Sequence, residues 1–146
     1  MISLDRLVVD ASVVVKWYLP EIGSTEASVI RDDQRPKLAP DLLVVEFGNV
    51  LWKKVRRGEL EALEALEVAN AFTSACPVIL RPAIPFLPLA LEIATRYQCT
   101  LYDALYLAVA VAEETIMLTA DSHLVERFRD TKLDQTVQLL RPSPVA

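Results

Sequence analysis

Residues 99–108 read CTLYDALYLA, a stretch that begins polar, turns helical and carries one carboxylate, Asp103, near its first turn. Ala104, Leu105, Leu107, Ala108, Val109 and Val111 follow, so the spacing predicts a helix buried on most of its faces. Thr100 three residues before Asp103 fits a helix N-cap followed by an acid, an arrangement that satisfies orphan N–H groups and complements the helix dipole. An acid at the entrance of a buried helix is also where a site can be built. The rest of the chain decides between these readings.

Outward from that helix, apolar runs alternate with amphipathic ones. Leu7-Val8-Val9 reads as a short buried strand ending at Asp10. A helix follows from about Ser12 to Leu19, stopped by Pro20, and a second covers Ser24–Asp33. Lys37-Leu38-Ala39 reads as a strand, Asp41–Arg57 as a long amphipathic helix stopped by Gly58, and Glu59–Phe72 as another helix. Val78–Leu80 (strand), Phe86–Tyr97 (helix), Ile116–Leu118 (strand), His123–Phe128 (helix) and Val137–Leu140 (strand) complete the pattern. Strands alternating with helices predict an α/β fold, a three-layer α/β/α sandwich with a mainly parallel central sheet. Ligands in such sheets sit beyond the carboxyl ends of the strands, which is where Asp10 and Asp121 fall.

The 146 residues fit a single domain over 1–146, and 53% apolar with 24% charged residues is a globular composition. Ala104–Ala112 is too short to span a membrane, and Asp5 and Arg6 interrupt any leader-like start. Cys76 and Cys99 lie far apart without a C-x-x-C, which reads as buried free thiols, so a cytoplasmic protein is expected. Three glycines leave no dinucleotide or phosphate-cradling loop, and one histidine, His123, excludes paired-imidazole chemistry and His-rich zinc sites. A net charge of −5 argues against a general nucleic-acid coat, although WKKVRRG at 52–58 is a local basic strip. Cations before Gly58 also complement a helix C-terminus.

Four acids stand in apolar surroundings: Asp10 in LVVDASV, Glu46 in LLVVEFGNVL, Asp103 in LYDALYLA and Asp121 in MLTADSHL. Asp10 and Asp121 each precede a helix and fit ordinary N-caps; Glu46 fits a solvated helix position. At 100° per residue Glu46 shares a stripe with Asn49, Lys53 and Arg57, beside the apolar Leu43, Phe47, Leu51 and Val55. Carboxylates within about 4 Å repel by roughly 4 kcal/mol per pair at an effective dielectric near 20, so such a cluster needs protons or cations. Oxygen-only ligands select hard ions, Mg²⁺ or Mn²⁺, which suit phosphodiester hydrolysis.

The chain resembles the PIN-domain ribonucleases, and within them the VapC-type toxins of toxin–antitoxin pairs. D-A-S at residues 10–12 looks like the family's opening motif, EFGNVLWK its E-x-x-N helix, YDALYLAVA its most recognisable segment and LTADSHL its T-x-D-x-x-L ending. The four occur in the family's order, across nearly the whole chain. The resemblance implies Asp10, Glu46, Asp103 and Asp121 as catalytic acids around one or two Mg²⁺ or Mn²⁺ ions, supported by Ser12, Asn49 and Thr119. It implies metal-dependent endoribonuclease activity with water as nucleophile, a homodimer, an antitoxin partner that blocks the site, and no membrane. Lys53 and Arg57 are the candidate RNA-binding cations.

Two rival readings remain at this level. A catalytically silent module would use the same acidic cleft to hold a basic partner peptide. A phosphatase or receiver module also places an acid after its first strand, but the phosphatase D-x-D needs an acid where Ser12 stands.

Overall fold

Leu7–Val9 (β1) is buried at every position and lies at the centre of a five-stranded sheet. In this computed structural model, which describes residues 1–141, its neighbours are Lys37–Pro40 (β2) and Ile116–Thr119 (β4). Ile79–Arg81 (β3) and Val137–Leu139 (β5) form the edges, giving the order β3-β2-β1-β4-β5. Every pairing is parallel, so the expected mainly parallel sheet is wholly so. The helices are Ala11–Val14 (α1), Ser24–Asp32 (α2), Leu42–Arg56 (α3), Ala62–Ser74 (α4), Leu87–Tyr97 (α5), Leu101–Ala112 (α6) and Ser122–Arg127 (α7).

Right-handed crossovers place the helices linking β1, β2 and β3 on one face and those linking β3, β4 and β5 on the other. The contacts agree: α1, α3 and α4 pack in sequence, while α5 packs on α6. Helix α6 touches β1, β2 and β4 with α5 behind it, and Ala104–Ala110 are buried without a break. That is why the helix reads as apolar all round after Asp103: the sheet lies on one side and a helix on the other.

On the opposite face, α3 turns Leu43, Phe47 and Leu51 inward. Phe47 stacks on Phe72 of α4 at 4.3 Å between centroids, and Tyr18 meets both rings edge-on at 5.4 and 6.0 Å. This aromatic cluster fixes the roll of α3. Glu46, one residue before Phe47, is thereby held half-buried at the edge of the apolar stripe.

Four sequence expectations change. The helix expected over Ser12–Leu19 is α1 followed by a 3₁₀ turn, Val15–Trp17. Consecutive Val13, Val14 and Val15 crowd an α-helix, and Pro20 bars its continuation. The tightened turn points the Trp17 indole N–H at the Ala27 carbonyl, 2.7 Å away, pinning α2. Helix α4 begins at Ala62 rather than Glu59, because Glu61 and Glu64 form a capping box. The Phe86 helix starts as a 3₁₀ turn at Ile84 and becomes α5 at Leu87. Cys76 is exposed and Cys99 partly so, against the expectation of buried thiols. Residues 142–146 of the expected 1–146 domain lie outside those described. No helix among the described residues is long and apolar enough to cross a membrane.

Candidate active site

The strand order reverses between β1 and β4, one leading to β2 and β3, the other to β5. Backbones diverge at such a switch point and leave a crevice beyond the strand ends. Asp10 stands at that point, directly after β1, and is only 8% exposed. Its Oδ1 accepts from the Ser12 hydroxyl at 2.5 Å and from the Val13 N–H at 3.3 Å, capping α1. Its Oδ2 accepts from the Thr119 hydroxyl at 2.6 Å, at the end of β4. Thr119 Oγ1 in turn accepts the Asp121 N–H at 3.1 Å, and Ser12 Oγ accepts the Ala120 N–H at 2.9 Å. The two hydroxyls expected to support the acids therefore lock the first acid to the strand that delivers the last.

Two further acids enter from helices on opposite faces of the sheet. Asp103 is the third residue of α6, whose N-cap Thr100 accepts the Asp103 N–H at 3.1 Å. Glu46 projects from the second turn of α3. Burial raises Asp10 to about 6 against the hydrogen bonds of Ser12, Thr119 and Val13, with the charge of Asp103 adding to it. Burial also raises Asp103, and Asp121 adds to that shift. Burial raises Glu46 too, with Asp103 adding while Tyr106 and Lys53 oppose. The four acids thus form one electrostatic unit.

Tyr106 was not singled out from the sequence, although it follows Asp103 by one helical turn. It is 1% exposed, and its hydroxyl has no hydrogen-bond partner among the described residues. That hydroxyl faces Glu46 closely enough for each to shift the other, without hydrogen-bonding geometry. A buried unpartnered hydroxyl beside acids raised by burial marks a polar pocket that the protein's own residues leave unsatisfied, as candidate functional sites do. The donor set is oxygen only and fits Mg²⁺ or Mn²⁺ chemically. No three His, Cys, Asp or Glu side chains among the described residues converge on a single point, so the acids do not form a closed cage in this structure.

The remaining expected residues divide. Lys53 and Arg57 line an open groove of about 460 Å³ together with Ser12, Ala120 and, of the four acids, Asp121. Lys16, Glu21 and Lys54 also line that groove and were not foreseen. Asn49 is exposed, and no hydrogen bond ties it to the acids among the described residues.

Asp121 serves visibly as a cap: its Oδ1 accepts the N–H groups of His123 at 2.9 Å and Leu124 at 3.3 Å. Asp121→Asn is therefore expected to keep metal-free stability, whereas Asp121→Ala loses about 1 kcal/mol as a missing cap. If Asp121 also holds a cation, both variants lose most of the melting-temperature rise that Mn²⁺ gives the wild type. Thermal melts in chelator and in excess Mn²⁺ separate the two roles.

An all-parallel α/β/α sandwich with carboxylates gathered at its switch point defines an acidic-cleft α/β domain. The chain belongs to the PIN-domain family, whose model, described as PIN domain, matches residues 7–130. It is 36% identical over 126 residues to Ribonuclease VapC3 of Pyrobaculum aerophilum, covering 84% of this chain and 95% of that protein. It is 34% identical over 125 residues to Ribonuclease VapC1 of Mycobacterium tuberculosis, covering 83% and 90%. Among solved structures it is similar to a chain of a toxin–antitoxin complex from Klebsiella pneumoniae, with a TM-score of 0.61, 10% identity, and 94% and 99% of the two chains covered.

Proposed function

We propose that this PIN-domain protein is a divalent-metal-dependent endoribonuclease, the toxin of a toxin–antitoxin pair, working in the cytoplasm as a single domain over residues 1–146. The observation that carries the reading is the switch-point cluster: burial raises Asp10, Glu46 and Asp103 together, with Asp121 at its rim. The relatives named as ribonucleases support the substrate class.

One or two bound Mg²⁺ or Mn²⁺ ions would neutralise phosphate charge and acidify a water, the chemistry that side chains here do not supply themselves. Asp10, Glu46, Asp103 and Asp121 would hold the ions. Ser12 and Thr119 donate to Asp10 and leave its carboxylate little freedom to rotate. Such outer partners orient a ligand and matter nearly as much as the ligand itself. Asn49 stands on the rim of the same helix, and Lys53 and Arg57 meet the RNA backbone. Incubating the protein with single-stranded RNA, in chelator and in Mn²⁺, tests the reading. Cleavage in Mn²⁺ alone is expected; intact RNA in both, with tight binding of a basic peptide, would instead favour the silent module.

The toxin part of the proposal rests on similarity to a chain of a toxin–antitoxin complex and on unpaired apolar surface. Trp52 of α3 and Leu63 and Leu66 of α4 are 54%, 68% and 61% exposed, whereas Val55 and Leu60 are partly covered. A second copy covers part of this surface, and an antitoxin segment lies along it with a basic side chain reaching the acids. Leu63→Glu with Leu66→Glu is expected to shift the protein from dimer to monomer in light scattering. A wild-type monomer at high concentration, unchanged by a partner segment, would contradict this.

A further inference from the structure

The groove beside the acids carries a charge opposite to that of the chain. Lys16 from the 3₁₀ turn, Lys53 and Lys54 from α3 and Arg57 at its C-cap face it, against Glu21 and, at the lip, Asp121. The whole protein has a net charge of −5.

Glu21 lies between two of these cations. Its Oε1 accepts from Lys16 Nζ at 2.9 Å and its Oε2 meets Lys54 Nζ at 3.0 Å, with all three side chains largely buried. Burial alone would raise its carboxyl, but the bonds from Lys16 and Lys54 outweigh it and hold the group below its ordinary value. Lys16 also donates to the Ile22 carbonyl at 2.7 Å. Lys54 has a second, looser acid in Glu59 at 3.7 Å. Cations in the last turn of α3 complement its dipole, which explains Lys53 and Lys54. It does not explain Lys16, on another element, or the acid drawn between them. Cations from separate elements that converge on two oxygens of one anion can equally take two oxygens of a phosphate, to which Lys binds as a point charge. Ser12 and Asp121 belong to both the groove and the acid cluster, so a strand leaving the acids passes over these cations.

We propose that this groove is a subsite for a backbone phosphate of RNA flanking the cleaved bond, with Glu21 as its built-in competitor for Lys54 and Lys16. Lys53 and Arg57 make the first contact with the strand, and the phosphate then displaces Glu21 from Lys54. The ligand's identity rests on the ribonuclease reading; the competition between anions does not.

The test is fluorescence anisotropy of a labelled single-stranded RNA oligomer, titrated in chelator so that no cleavage intervenes, over a series of salt concentrations. Glu21→Gln is expected to tighten binding about three- to tenfold at low salt and to steepen the log–log salt slope by about 0.7, one extra single-strand phosphate contact. Lys54→Met and Lys53→Met are expected to weaken binding by a similar factor and flatten the slope. The opposite signs are decisive. If the Lys16–Glu21–Lys54 triad is only a structural staple, Glu21→Gln and Lys54→Met lower the melting temperature together and leave RNA affinity alone, and the proposal falls. It also falls if wild-type binding has no salt dependence, or if a polyglutamate peptide of equal length displaces the RNA as well as unlabelled RNA does. Cleavage is scored separately in Mn²⁺. Cleavage with no opposite-signed effect sinks the subsite and leaves the nuclease standing; opposite-signed binding without cleavage does the reverse.

Discussion

Asp10→Asn is expected to lower divalent-dependent RNA cleavage by more than about a hundredfold, since loss of an outer-shell partner alone costs up to that factor. The same substitution is expected to raise the melting temperature of the metal-free protein. Asn still accepts from Ser12 and Val13, so the cap on α1 survives. The buried charge does not survive. Ionising a carboxyl whose value has risen from 3.8 to about 6 makes the folded state pay at neutral pH. That cost is on the order of 2 to 3 kcal/mol, at 1.36 kcal/mol per unit. A domain of this size gains about 2 to 4 °C per kcal/mol, so the rise is roughly 4 to 12 °C. Activity and stability move in opposite directions, which an ordinary core substitution does not achieve. Near-normal cleavage by this variant, in protein that still melts cooperatively, would remove Asp10 from the site.

A pH and metal dependence follows from the same carboxyl. Between about 4 and 6 the folded protein holds a proton on Asp10 that the unfolded chain has released. Metal-free stability from this group is therefore fully present below that window and is lost as pH rises through it. Burial moves Glu46 and Asp103 in the same direction. Asp33 runs the other way: hydrogen bonds from Arg35 lower it to about 2, so its contribution is lost only as pH falls below about 4. Chelated protein is expected to melt higher near pH 5 than near pH 7. Mn²⁺ should invert this ordering. A cation at about a hundred times its dissociation constant adds roughly 2.7 kcal/mol, or about 5 to 11 °C. Protons compete for the same oxygens, so the gain should shrink towards pH 5. Melting curves at both pH values, with and without metal, check all four corners; a Mn²⁺ shift independent of pH would count against these acids as its ligands.

What the sequence made legible was whatever repeats locally. The alternation of apolar strands and helices, the acids at strand ends and the fully apolar α6 are patterns within a dozen residues. They sufficed for the layered parallel architecture and for the positions of Asp10, Glu46, Asp103 and Asp121. Contacts between distant segments were not legible. Nothing around Glu21 announces that Lys54 will reach it from α3, and nothing marks Tyr106 among the apolar residues of α6 as a hydroxyl left unpaired. The break in the first helix lay between these extremes: Pro20 gave its limit, but three successive valines turned its second half into a 3₁₀ turn.

The bond from Thr119 to Asp10 spans 109 residues, and the strands behind it, β1 and β4, are just as remote in sequence. Synthesis proceeds from the N-terminus at about 5 to 20 residues per second, so the hydroxyl arrives roughly 5 to 20 s after the carboxylate it must hold. Until then β1 has β2 as a neighbour but no β4, and the crevice has only one wall. An emerging chain therefore carries Asp10 for most of its translation without the Thr119 hydroxyl that holds its second oxygen. The pocket around Asp10 is thus among the last parts of the fold to be completed, because the strand and hydroxyl that close it come from the far end of the chain.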